Sequence, residues 1–130
     1  MGTTWQEIES SDGTVVKYRR HTQGKGFVAH GATVDRTAFL DERVYVEPGA
    51  EIGHHAWIGA GSWIEADAFV GAGAFIGADV HVGRAAQVGF NTRIGSHSNV
   101  GARAKVESGA RVDSDIRIAD GAVVRTSNAA

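Results

Sequence analysis

From Val28 onward an aliphatic residue returns at every sixth position: Val28, Val34, Leu40, Val46, Ile52, Ile58, Ile64, Val70, Ile76, Val82, Val88, Ile94, Val100, Val106, Val112, Ile118 and Val124. These seventeen positions run without an exception or a change of phase. Neither a 3.6-residue helical spacing nor simple alternation produces such a series. The chain is therefore built from an internal repeat. Four residues after the aliphatic a small side chain usually follows, as at Ala32, Ala50, Ser62, Ala74, Thr92 and Ala110, with Val44, Val80 and Ile116 as exceptions. Gly often stands directly after the aliphatic, as at Gly53, Gly59, Gly71, Gly77 and Gly101, and elsewhere that place is mostly acidic.

Each hexapeptide predicts a short strand and a turn. The small residue and the aliphatic lie two apart and share the inner face, while the residue between them faces out. The Gly and the next two residues are expected to make the corner, where backbone freedom helps and polar side chains reach water. Six-residue units close a triangular coil every 18 residues, which gives between five and six coils of three strands each. Successive coils stack as parallel strands about 4.8 Å apart.

The first residues depart from the pattern. In the segment TWQEIESSDGTVVKYRR two β-prone stretches flank Asp12-Gly13, a strong hairpin signal. Such a hairpin would cover the open strand edge of the first coil and bury Trp5, Ile8, Val15, Val16 and Tyr18. The expected organisation is a hairpin cap over 1–22, a β-helix over 23–125 and a disordered tail over 126–130.

Residues 18 apart should lie directly above one another. Phe39, Trp57 and Phe75 then form one outward column, and Phe27, Tyr45 and Trp63 a second that continues into His81. Phe69 lies alone on the remaining side. Apolar columns of this extent usually mark an interface, the alternative being rings that stack only to stabilise neighbouring strands.

Over Val28–Val124 the repeat resembles the hexapeptide-repeat superfamily typified by bacterial acyltransferases. The resemblance implies an all-β fold, a left-handed parallel β-helix, against the right-handed preference of ordinary crossover connections. It also implies a homotrimer of rods packed side by side, with Phe39, Trp57, Phe75, Phe27, Tyr45 and Trp63 at the interface.

Charge and composition narrow the partners. The net charge of −2 predicts no long-range attraction to nucleic acid or anionic lipid. Residues 31–80 carry eight acids against two bases, and residues 81–125 seven bases against four acids. The basic residues lie on different sides and are not interleaved with aromatics, as a single-strand groove would need. With no cysteine there is neither a disulfide framework nor a thiolate nucleophile. Met1–Ser10 lacks the apolar stretch of a signal peptide, and no run approaches the roughly 20 apolar residues of a membrane span. A cytoplasmic protein without nucleic-acid or membrane partners is expected.

Histidine is the main catalytic material, at six positions. His54 stands second after Ile52 and His30 second after Val28, both at corners. In several acyltransferases of the family the general-base His occupies that place, often followed by an acid. There it takes a proton from a hydroxyl or amine attacking an acyl thioester. In this chain His55 and Gly31 stand where the acid would be. The γ-class carbonic anhydrases place zinc on three His in the same fold, but the positions their spacing requires hold Gly59 and Tyr18. No metal is therefore expected. Asp79, His97 and Asp115 stack at equivalent corners and read as an exposed charge ladder of less than about 1 kcal/mol per pair.

Family acyltransferases generally interrupt their coils with a loop that closes over substrate, and this phase is unbroken. The expectation is a homotrimeric structural or assembly module, without cofactor, able to associate end to end. The alternative is a minimal O- or N-acetyltransferase with acyl-CoA as substrate, an inter-subunit active site, and His54 or His30 as catalytic residue.

Overall fold

The structure, a computed structural model, describes residues 5–9 and 13–126. All its regular elements are strands. β1 (Trp5–Glu9) and β2 (Val15–Arg20) precede the coils, β3 (Phe27–Ala29) opens them, and β4 (Thr33–Val34) and β5 (Phe39–Leu40) complete the first turn. Two-residue strands then recur every six residues to Val123–Val124. Each pairs in parallel with the strand 18 residues on, as in Phe27↔Tyr45, Thr33↔Glu51 and Phe39↔Trp57. The result is three sheets of eight, six and five strands, the arrangement of a left-handed β-helix. They are called here the first, second and third sides, beginning at Phe27, Thr33 and Phe39.

The repeat explains the interior. The aliphatic of each hexapeptide is buried along most of the rod, with Val28, Leu40, Ile58, Ile76, Ile94 and Val100 fully enclosed. Each such side chain contributes about 1.5–3 kcal/mol. The small position is also inside, and three of its members carry hydroxyls: Ser62, Thr92 and Ser98. Ser62 Oγ donates to the Gly77 carbonyl (2.7 Å) and accepts from the Val80 amide (3.1 Å), tying one coil to the next. Ser98 repeats this between the Asp113 carbonyl and the Ile116 amide. Among the described residues no buried side-chain polar atom lacks a partner.

The corners differ from the sequence reading in one respect. The left-handed backbone falls on the third residue after the aliphatic, as at Gly49, Gly61 and Gly73 and also at His55, Asp67, Ala85, Asn91, His97 and Arg103. The Gly directly after the aliphatic has no positive φ. It is there because a side chain would strike the next coil. A Cβ on Gly71 would lie 2.8 Å from the backbone of Gly89 and Phe90. Close stacking, not backbone freedom, selects that Gly.

The hairpin forms, with β1 antiparallel to β2 and β2 antiparallel to β3. Of its Asp12-Gly13 turn, Asp12 lies outside the described residues, as do residues 127–130 of the expected tail. The hairpin buries less than its sequence suggested. Tyr18 is 6% exposed, but Trp5 is 39% and Val15 50% exposed, and Ile8 is exposed as well. The physical reason is that the two strands lengthen the first side edgewise instead of folding over the coil mouth. Tyr18 lies inside because its ring meets Phe27 and Tyr45 edge-on at 6.2 and 5.5 Å. The mouth beside β5 is covered by the turn that follows, where the Gly26 amide donates to the Leu40 carbonyl and the Leu40 amide to the Gln23 carbonyl, both at 3.0 Å.

Candidate active site

The outward column of the first side runs Phe27, Tyr45, Trp63, His81, Asn99 and Arg117. Its upper rungs form a stack: Phe27 lies on Tyr45 with centroids 4.7 Å apart, and the Arg20 guanidinium covers Phe27 at 3.7 Å. On the third side Phe39, Trp57 and Phe75 stack at 5.5 and 4.8 Å, and Arg93 lies over Phe75 at 4.9 Å. The ring faces are turned toward one another along the rod, so each side presents ring edges. Trp57 and Trp63 remain 40% and 45% exposed.

Where the first column changes from rings to polar groups, a histidine–carboxylate pair forms. Glu65 follows Ile64 at the corner, and its carboxylate reaches back over the next strand. There His81 Nε2 hydrogen-bonds to Glu65 Oε2. Both side chains are about one-third exposed. The Trp63 ring lies 5.0 Å above the imidazole, and Asn99 Oδ1 lies 3.4 Å from Nδ1 below it. The Asn99 amide can present either end to Nδ1 by a flip. Its oxygen suits an imidazolium, and its NH2 suits a neutral ring with a lone pair on Nδ1. The pair opens into a groove of about 580 Å³ whose lining includes Arg84, Arg117 and Asp120. A carboxylate-oriented imidazole is the arrangement that general-base chemistry requires.

The same reach recurs one coil earlier. Trp63 Nε1 donates to Glu47 Oε2 at 2.8 Å, and the Tyr18 hydroxyl donates to Glu47 Oε1 at 2.6 Å. Burial first, and then this carboxylate, hold the Tyr18 pKa above its ordinary value. A corner acid therefore meets the outward residue 16 positions later, Glu47 with Trp63 and Glu65 with His81. That spacing was the sequence signal for the pair, and the sequence reading, which looked for an acid directly after His54 and His30 and 18 residues either side of His97, missed it.

His54 and His30 are placed on two different corners. His54, between the second and third sides, is exposed and meets His55 edge-on at 5.4 Å. Asp35 lies near it, but Asp35 Oδ1 accepts from the Thr37 amide (2.9 Å) and hydroxyl (2.6 Å). Those bonds are the main cause of its lowered pKa, with the His54 charge a smaller one. His30, between the first and second sides, is exposed and lies edge-on to Trp5 at 5.4 Å. Among the described residues neither imidazole hydrogen-bonds to a carboxylate. His97 approaches Asp79 only at 3.8 Å, with both side chains open to solvent. His21 is buried and bonds through Nε2 to the Ala38 carbonyl at 2.8 Å. No three His, Cys, Asp or Glu among the described residues converge as metal ligands do.

By sequence the chain matches no protein-family model and no curated protein. By fold it is similar to solved acetyltransferases. One is a histidine-to-asparagine mutant of perosamine N-acetyltransferase from Caulobacter crescentus, in complex with CoA and GDP-perosamine. It is 29% identical with a TM-score of 0.74, over 75% of this chain and 46% of that one. The acetyltransferase domain of PglB from Neisseria gonorrhoeae is 25% identical with a TM-score of 0.76, over 78% and 50%. Its complex with acetyl coenzyme A gives 25% and 0.58, over 75% and 53%. The chain thus spans about half the length of the structures it resembles.

Proposed function

Since the chain belongs to the hexapeptide-repeat superfamily, we propose that it carries an acyl-CoA-dependent acyltransferase site with His81 as general base and Glu65 orienting it. The observation that carries this reading is the His81–Glu65 pair, set in a groove that two arginines line. The neighbours' complexes with CoA and acetyl coenzyme A support acyl-CoA as the donor. The expectation of a purely structural module rested on the unbroken phase of the repeat, which is equally compatible with a site assembled from corner and face residues.

In the proposed reaction Glu65 holds the Nε2–H of His81, and Nδ1 takes a proton once the acceptor displaces Asn99 from it. An acceptor amine or hydroxyl attacks the thioester carbonyl and passes its proton to Nδ1. The C–S bond then breaks, and the CoA thiolate collects that proton from the imidazolium. Glu65 stabilises the transient positive ring, and a well-placed general base contributes about 10²–10⁴ in rate.

Three copies packed side by side suit the faces. The corner between the third and first sides is mostly small at mid-rod, with Gly59, Ala60, Gly61, Gly77 and Ala78 beside the exposed Asp79. Pointing it inward turns the first side of one copy toward the third side of the next, and the His81 groove then opens between subunits.

The test is acetyl-CoA consumption, followed by thiol release with a panel of amino sugars. His81→Asn is expected to abolish turnover and Glu65→Gln to reduce it, while His54→Ala and His30→Ala retain it. Turnover lost in His54→Ala and kept in His81→Asn would move the base to His54. No turnover in the wild-type protein with any acceptor, together with no CoA binding, would sink the acyltransferase reading.

A further inference from the structure

The third side ends in a feature that the stacking does not account for. Arg93 and Arg111 stand in register on adjacent strands, two like charges one strand spacing apart, a placement that costs stability unless something lies between them. Neither forms an ion pair among the described residues. Asp113, on the rim of the same groove, leaves both unpaired. Arg93 is held by its guanidinium over Phe75, which fixes the plane of its donors. The two arginines, Phe75, Ser114 and Asp113 line a groove of about 440 Å³.

We infer that Arg93 and Arg111 form a binding site for the diphosphate of an organic ligand. Two forked donor sets at this spacing match two linked phosphates, each taking paired N–H···O bonds, as a lysine pair would not. The anion also removes the Arg–Arg repulsion. The inference rests on the acyltransferase reading only for its setting. Arg93 is twelve residues beyond His81 and on the same coil, so the clamp and the His81 pair stand at one height along the rod, on different sides. The diphosphate then belongs either to the CoA donor or to a nucleotide-linked acceptor.

Calorimetric titration with inorganic pyrophosphate, CoA and GDP tests the site directly. Wild-type protein is expected to bind pyrophosphate, and the Arg93→Met/Arg111→Met double variant to bind it on the order of 10- to 100-fold more weakly. Gln87→Ala, on the second side and in neither groove, should bind pyrophosphate as wild type does. Arg93→Lys/Arg111→Lys, which keeps the charge and loses the forks, should fall between. Both arginines are exposed, and an unchanged melting curve will show that the variants fold. Weakened binding of CoA alone assigns the clamp to the donor, and of GDP alone to the acceptor. Equal affinity in wild type and double variant, or no pyrophosphate binding at millimolar concentration, overturns the site. The pyrophosphate arm involves no acyl group, so a protein that binds through the arginines yet never consumes acetyl-CoA refutes the acyltransferase reading and leaves the clamp standing.

Discussion

Replacing Gly59 with alanine tests why Gly follows the aliphatic so often. In most exposed or loosely packed places with negative φ, Gly→Ala stabilises by about 0.4–1 kcal/mol, through the unfolded chain. At Gly59 the added Cβ would lie 2.8 Å from both C and O of Gly77 and 3.0 Å from the Ala78 amide nitrogen. All three atoms are backbone of the next coil, so no side chain can swing aside. Ordinary contact begins near 3.4 Å, and the coils must therefore part by about 0.6 Å. The Gly59 amide meanwhile donates to the Ile76 carbonyl at 2.8 Å, a bond that parting would stretch. The net cost is expected to be about 1–3 kcal/mol, the range of overpacked cores. Urea unfolding followed by tryptophan fluorescence reads it as a lowered midpoint. Gly109→Ala is the control, since no atom lies within 4 Å of its Cβ but its φ is +79°. It should cost only the left-handed strain, about 1 kcal/mol. A Gly59→Ala protein as stable as wild type would refute the crowding argument.

Ala85 has φ 59° with no side-chain group to offset it. Ala85→Gly is thus expected to raise the urea midpoint, by about 0.5–1 kcal/mol after the unfolded-state entropy of Gly is counted. Tyr18→Phe removes one of the two donors to Glu47 and should cost about 1–2 kcal/mol in the same assay, with faster hydrogen exchange across β2 and β3. His21 gives a pH dependence. Burial, aided by the Arg19 charge, lowers its pKa from 6.5 against the opposing Ala38 carbonyl and Asp35. The unfolded chain then protonates first as pH falls, so the contribution is whole above pH 6.5 and is lost on descending through the lower folded value. Unfolding midpoints at pH 7.5 and 5.5 should differ more for wild type than for His21→Asn.

Six-residue periodicity was sufficient to determine the coil, the inner and outer faces, and which residues stack, because a solenoid's long-range contacts are its short-range pattern repeated. Phe39 over Trp57 over Phe75 could be read directly from a spacing of 18. The hairpin's existence was legible too, from Asp12-Gly13, but not its placement. Whether two strands fold over a coil mouth or extend its edge depends on hydrogen-bond partners that only three dimensions supply. The same limit hid the active-site candidate. His54 stands out in the sequence by its corner place in the hexapeptide, and a vertical spacing of 18 does not bring an acid to His81. Glu65 meets His81 because a corner side chain leans across to the following coil, a contact set by the offset between corner and strand. The glycines show the distinction most plainly. Their positions were in the sequence, and the reason for them, a backbone less than 3 Å from where a methyl would be, was decided by the stacking of one coil on another.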